Sequence, residues 1–240
     1  MQKREQIKEG IVVSIPIIIG YIPIAIAFGI LSKNTGITLI ECVLFSALVF
    51  AGASQFMAIN LIGLGTGGLE IVMTTFLVNF RHFLMSASLI PRLDQPKKKW
   101  FPLMAFGITD ETFSVASFHN GKLSTELVLT IEISAYLSWV LGSGLGYMLE
   151  GLLPVMLRES MGIALYAMFA AFLIPEVKKS KKVFLLAVGS GSVNAFMGWL
   201  NVLSSGWNIV VSIVVVSLLG VFLTQPEAYQ EEQEVTTCEQ

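Results

Sequence analysis

Apolar runs of about 18 residues or more recur across residues 10–224, the length that ~30 Å of hydrocarbon asks of a helix rising ~1.5 Å per residue. Hydrocarbon holds no water to satisfy backbone N–H and C=O groups, so a spanning segment must be a helix or part of a closed barrel. The runs lack the two-residue alternation of a barrel strand, which leaves helices. Composition excludes a soluble domain: 54% of residues are hydrophobic and 13% charged, with a mean hydropathy of +0.74. The expectation is an all-α polytopic transmembrane helical bundle, multi-pass in the cell (inner) membrane.

The apolar segments read as 10–31, 40–64, 69–90, 100–118, 126–150, 155–175, 183–201 and 207–224, one membrane domain over residues 1–224. Residues 225–240, with Glu227, Glu231, Glu232, Glu234 and Glu239, read as an acidic, disordered cytoplasmic tail. The first run, residues 10–31, is longer than a signal-peptide core, so it is expected to persist as the first helix. Cys42 and Cys238 give neither a disulfide framework nor a metal-spaced pair, and no metal or cofactor is expected.

Eleven of the fifteen Lys and Arg fall in three clusters: Lys3, Arg4 and Lys8; Arg92 and Lys97 to Lys99; Lys178, Lys179, Lys181 and Lys182. A nucleic-acid partner would need them on one exposed patch; short basic loops beside spans are the simpler reading. The positive-inside rule puts the Arg92–Lys99 and Lys178–Lys182 loops in the cytoplasm, although three apolar segments separate them. An odd number of crossings cannot join one side to itself, and the same conflict separates the chain start from the first loop. At least one segment in each trio is therefore expected to be re-entrant or broken. Candidate breaks are Gly52, Ala53 and Ser54, followed by Gln55, within 40–64, and the run from Gly189 through Gly191 to Asn194 within 183–201. Small residues and amides suit an unwound turn that binds substrate, and equally suit tight helix packing.

Four strings, Gly52-Ala53-Ser54-Gln55-Phe56, the run Asn79-Phe80-Arg81-His82 continuing to Leu89, Thr109-Asp110-Glu111-Thr112-Phe113, and Tyr166 to Phe172, stand in an order and spacing that resemble the AzlC family of branched-chain amino-acid exporters. The resemblance covers most of residues 10–224. It implies export of leucine, isoleucine, valine and analogues such as azaleucine, together with a small AzlD-type membrane subunit. No phosphate-binding G-x-x-x-x-G-K-[ST] loop is present, since Gly121-Lys122 is followed by Leu123 and lacks the upstream glycine. An ATPase would have to be another chain, and the proton gradient is the expected energy source.

An ionisable group in hydrocarbon costs roughly 2.5–3.5 kcal/mol even on the lenient insertion scale, so each needs a partner, a watery cavity or a task. Arg81 lies about ten residues, ~15 Å of helix, from the basic loop, too deep for easy snorkelling. Its planar donors suit a substrate carboxylate; the alternative is a structural pair with an intramembrane acid. Thr75, Asn79, His82 and Ser86 form one polar stripe on a helix, with His82 a hydrogen-bonding group or a proton relay. Asp110 and Glu111 point ~100° apart on a helix, so at most one should face a given cavity. One can meet a substrate ammonium or take up a proton; the alternative is to neutralise Arg81. Glu132 reads as interfacial and snorkelling, His119 as a loop residue, and Arg158 with Glu159 as end charges. Pro16 and Pro23 invite kinks in the first span, and Trp100, Trp199 and Trp207 fit an interfacial belt.

Together these residues fit a carrier for an apolar amino acid, or for another small zwitterion. A passive channel is a rival without proton coupling. An intramembrane enzyme is disfavoured, since no H-E-x-x-H occurs and no histidine follows the Gly189–Ser192 run to serve as a base.

Overall fold

The computed structural model describes residues 2–94, 97–119, 123–152, 154, 156, 170, 173–174, 177–178, 180–200, 203 and 205–223. Most of segment 155–175, including Arg158, Glu159 and all of the Tyr166–Phe172 run except Ala170, lies outside these residues, as does the tail. The chain divides into two compact units, Met1–Met168 and Phe169–Gln240.

The first unit holds α1 (Gln2–Asn34), α2 (Leu39–Val49), α3 (Gly52–Gly63), α4 (Gly68–Leu89), α5 (Phe101–Gly107), α6 (Asp110–Phe118) and α7 (Thr125–Leu149). The described residues are helical, apart from turns and an isolated bridge between Leu93 and Leu123, and the protein is an all-α membrane protein. Three described helices are long and apolar enough to cross a bilayer: Lys3–Asn34, Thr125–Leu152 and Lys181–Leu200. α4 has the length, 22 residues, or about 33 Å, but its polar residues keep it out of that set.

α1 and α7 form the spine and run parallel. Gly10 packs on Thr130 and Leu127, Gly142 on Ala25, and Lys33 pairs with Glu150 at 3.5 Å. The backbones all but touch at two glycines: a Cβ on Gly29 would lie 2.1 Å from the Ser143 carbonyl oxygen, and one on Gly146 2.1 Å from that of Ile26. Small residues permit this approach where helices cannot rely on a hydrophobic drive. Pro16 and Pro23 lie inside α1 without ending it.

Cross-links at each end fix the direction of every other element. At one end Glu9 meets His119 at 3.7 Å, Arg92 Nη1 donates to the Ser117 carbonyl at 2.6 Å, and Lys97 pairs with Glu126. At the other, Tyr147 donates to the Ile37 carbonyl at 3.0 Å, and a Cβ on Gly63 would lie 3.5 Å from Thr35 Cγ2. The chain start and the 92–99 loop therefore share the first end, while 34–38 and 63–67 share the second.

Two re-entrant hairpins follow from this. Segment 40–64 is two half-helices: α2 starts beside the end of α1, capped by a Thr38/Glu41 box in which Thr38 N–H donates to Glu41 Oε2 at 2.7 Å. It stops at Phe50, the one non-glycine with positive φ (41°) among the described residues, and α3 leads back to the same end. Segment 100–118 does the reverse from the basic end: α5 enters, breaks at the extended Ile108 and Thr109, and α6 returns. The break has a local cause, because Thr109 Oγ1 caps Thr112 N–H at 3.3 Å while Thr109 N–H donates to Thr112 Oγ1 at 2.8 Å. Half-helices are tolerated at membrane depth only where their ends are buried in protein or line a cavity.

In the second unit α8 (Lys181–Leu200) and α9 (Ser205–Leu223) pack antiparallel, with Gly220 against Leu186 and Gly198 near Asn208. The break expected at Gly189 and Gly191 is corrected: α8 runs through both, and through Asn194, without interruption. Glycine permits a break but does not impose one, and no proline lies there to force it. Among the described residues the second discontinuity lies instead at Ile108–Thr109.

Candidate functional site

The tips of the two hairpins meet half-way along the α1–α7 spine. Tyr21, Phe50 to Ala53, Arg81, His82, Thr109, Asp110, Glu111 and Trp139 surround a space of ≈20 Å³, enough for about one water. Larger occupants require the tips to part.

The α2–α3 tip is held from beneath. Gln55 Oε1 accepts from Trp139 Nε1 at 2.9 Å and from Ala51 N–H at 3.2 Å, and Gln55 Nε2 donates to Ser46 Oγ at 3.2 Å. Ser46 donates onward to Ser143 at 2.8 Å. Gln55 is thus wholly enclosed and structural: its amide anchors the break and does not line the space, contrary to its place among the binding candidates. Gly52 rests on the Trp139 ring, where a Cβ would lie 2.7 Å from Cη2. Ala51 supplies no side-chain cap, so the first-turn N–H groups of α3 bring unmet donors and a partial positive charge to the site. Gly52 and Ala53 border it; Ser54 turns its hydroxyl to the Ala51 carbonyl at 3.0 Å.

The α5–α6 tip brings both of its acids to the same space. Asp110 Oδ2 pairs with Arg81 Nη2 at 2.8 Å, and Glu111 Oε2 accepts from the Tyr21 hydroxyl at 2.6 Å, itself 2.7 Å from Thr109 Oγ1. The helical-wheel expectation that only one acid could face a cavity fails because these residues open a helix, where side chains fan around its N-terminus. Arg81 Nε is buried without a partner, so the guanidinium holds donor capacity beyond its acid. His82 also borders the space.

The α4 polar stripe is partly self-contained: Thr75 donates to the Ile71 carbonyl at 2.8 Å and Ser86 to that of His82 at 2.7 Å. Asn79 Oδ1 is buried without a partner and does not border the space. Asn194, Gly189 and Gly191 belong to the second unit, where Asn194 is exposed. Tyr21 escaped the sequence reading, and the interfacial reading of Glu132 is corrected. Tyr21, in an unbroken apolar run, carried no signal. Glu132 is 3% exposed and not interfacial, because α5 packs over it.

The arrangement gathers a guanidinium with donor capacity to spare, the N-terminus of α3 and two acids around one small space, with the rings of Tyr21, Phe50 and Trp139 beside them.

The family model described as AzlC protein matches residues 16–153, a stretch holding both hairpins, α4, α7 and the second half of α1. The chain is 32% identical over 228 residues to an uncharacterized membrane protein of Archaeoglobus fulgidus, covering 93% of this chain and 96% of that one. It is 33% identical to the inner membrane protein YgaZ of Escherichia coli K12, over 77% and 79% of the two chains. It is 26% identical to the branched-chain amino acid transport protein AzlC of Bacillus subtilis, over 80% and 77%. No solved structure matches the chain.

Proposed function

The chain belongs to the AzlC family, and from that membership we propose that it exports leucine, isoleucine, valine and similar apolar amino acids, driven by the proton gradient and working with a small AzlD-type membrane subunit. The transport class follows from the family and from the relatives' names, one of which is a branched-chain amino acid transport protein. The substrate reading is carried by one observation: the Arg81–Asp110 pair at 2.8 Å between two re-entrant tips. A zwitterion can replace that pair without leaving either charge alone, its carboxylate on Arg81 and the α3 N-terminus, its ammonium on Asp110 and Glu111. Removing two charges from water is costly unless each remains paired, so exchange of one pair for two keeps the site electrically balanced. The aromatic walls, Tyr21, Phe50 and Trp139, suit an apolar side chain.

Leucine efflux from cells expressing the chain with its small partner, against cells expressing it alone, tests the reading. Efflux is expected only with the partner; full efflux from the single chain removes the partner, and none from the pair removes the substrate.

A further inference from the structure

Glu132 stands apart from the hairpin-tip site and engages nothing. It is 3% exposed, yet neither carboxyl oxygen has a hydrogen-bond partner and no described cation pairs with it. Its carboxyl lies on the last residue of α5: a Cβ on Gly107 would be 2.7 Å from Glu132 Oε2. Beside it lies an open apolar groove of ≈350 Å³, bordered otherwise by outward-exposed residues such as Leu103, Phe106, Ile133 and Leu137. An ionisable side chain so placed in a membrane protein calls for a functional reason.

The neighbouring ionisable groups are otherwise engaged. On α7, Glu126 pairs with Lys97 and the Tyr136 hydroxyl donates to the Ala47 carbonyl at 3.1 Å. α5 has none, and α1 has none between Glu9 and Tyr21. On α6, Asp110 holds Arg81 and Glu111 accepts from Tyr21. A metal cation would need several converging oxygens, which an apolar lining does not offer; a proton needs one.

We propose that Glu132 binds the coupling proton and passes its state to the substrate site through the α5–α6 hairpin. One O–H bond forms on the carboxylate when the proton enters and breaks when it leaves, with no other reactant. The mechanical path is short. The Gly107 carbonyl accepts from Thr112 Oγ1 at 3.1 Å, and Thr112 boxes with Thr109, which contacts Tyr21. A carboxyl that gains or loses a proton against Gly107 therefore acts on the tip that carries Asp110 and Glu111.

The inference rests on the transport reading, and two measurements keep their failures apart. In liposomes holding the full chain with its partner, a pH gradient should drive about tenfold leucine accumulation per pH unit if one proton moves per leucine. Glu132→Gln should reach normal abundance and exchange labelled leucine but lose this accumulation, and Glu132→Asp should recover part of it. In parallel, infrared difference spectra of the purified protein should show a titrating carboxyl C=O band that Glu132→Gln lacks. Undiminished accumulation by Glu132→Gln, or persistence of the band, overturns the proposal and leaves the transport reading standing. Failure of the wild type to move leucine overturns the transport reading, and the band then decides whether Glu132 is a proton site.

Discussion

Arg81 and Asp110 sit on different elements, one inside α4 and one at the broken start of α6, so their pair ties α4 to a re-entrant tip. If the guanidinium also receives substrate, Arg81→Lys keeps the charge but loses the forked geometry, and export falls sharply at normal protein abundance. Arg81→Gln strands Asp110, so abundance should fall as well, and Arg81→Gln with Asp110→Asn should restore abundance without activity. Membrane abundance measured beside leucine efflux checks this; a folded Arg81→Gln protein with undiminished efflux would refute both roles. Arg81, His82, Asp110 and Glu111 were legible as ionisable residues in apolar segments, because hydrocarbon makes such residues conspicuous. Gln55 misled for the same reason, since an amide in a break looks alike whether it binds a ligand or its own tip. Tyr21 was invisible, a residue that sits equally well in a core, at an interface or in a site.

The hairpins are the elements on which the site depends, and their breaks differ in cause. At Phe50 the chain takes a left-handed turn that costs of order 1–3 kcal/mol, held by the Gln55, Ser46 and Trp139 bonds. At Thr109 a capping box starts a new helix. Thr109→Ala should destabilise α6 by about 0.5–2 kcal/mol, seen as faster hydrogen exchange confined to residues 107–113 and as weaker leucine binding. The spine predicts a different failure. Gly146→Ala sets a methyl group against the Ile26 backbone, costs about 1–3 kcal/mol by overpacking, and should lower the thermal midpoint in detergent throughout the first unit. The first break was legible because Gly52-Ala53-Ser54 interrupts a long apolar run. The second was misplaced to Gly189–Gly191, where glycines stay helical. Its true marker is Thr109-Asp110-Glu111-Thr112, a helix-capping pattern that two adjacent acids disguise as a charged site.

Across the first unit the charge conflict resolves by re-entry. α1, α4 and α7 run the unit's length in alternating directions, and each hairpin returns to the end it entered, so the chain start and the 92–99 loop lie together. Single cysteines at Glu5 and Lys98 should therefore label from the cytoplasm, and those at Thr35 and Thr66 from the opposite face; labelling of Glu5 and Lys98 from opposite sides would refute the two-hairpin topology. The parity of basic loops predicted re-entry from sequence alone, since crossings can be counted without knowing where any helix packs. Parallel packing of α1 on α7 was not legible, for it depends on glycines that meet across more than a hundred residues. The central claim is that a zwitterion binds between the opposed tips with both of its charges engaged. Its most direct test is counterflow of labelled leucine into liposomes holding the chain and its partner, challenged with leucine, leucinamide and isocaproate. Leucine should compete, while leucinamide, without the carboxylate, and isocaproate, without the ammonium, should not; competition by either analogue as strong as that by leucine would contradict the account.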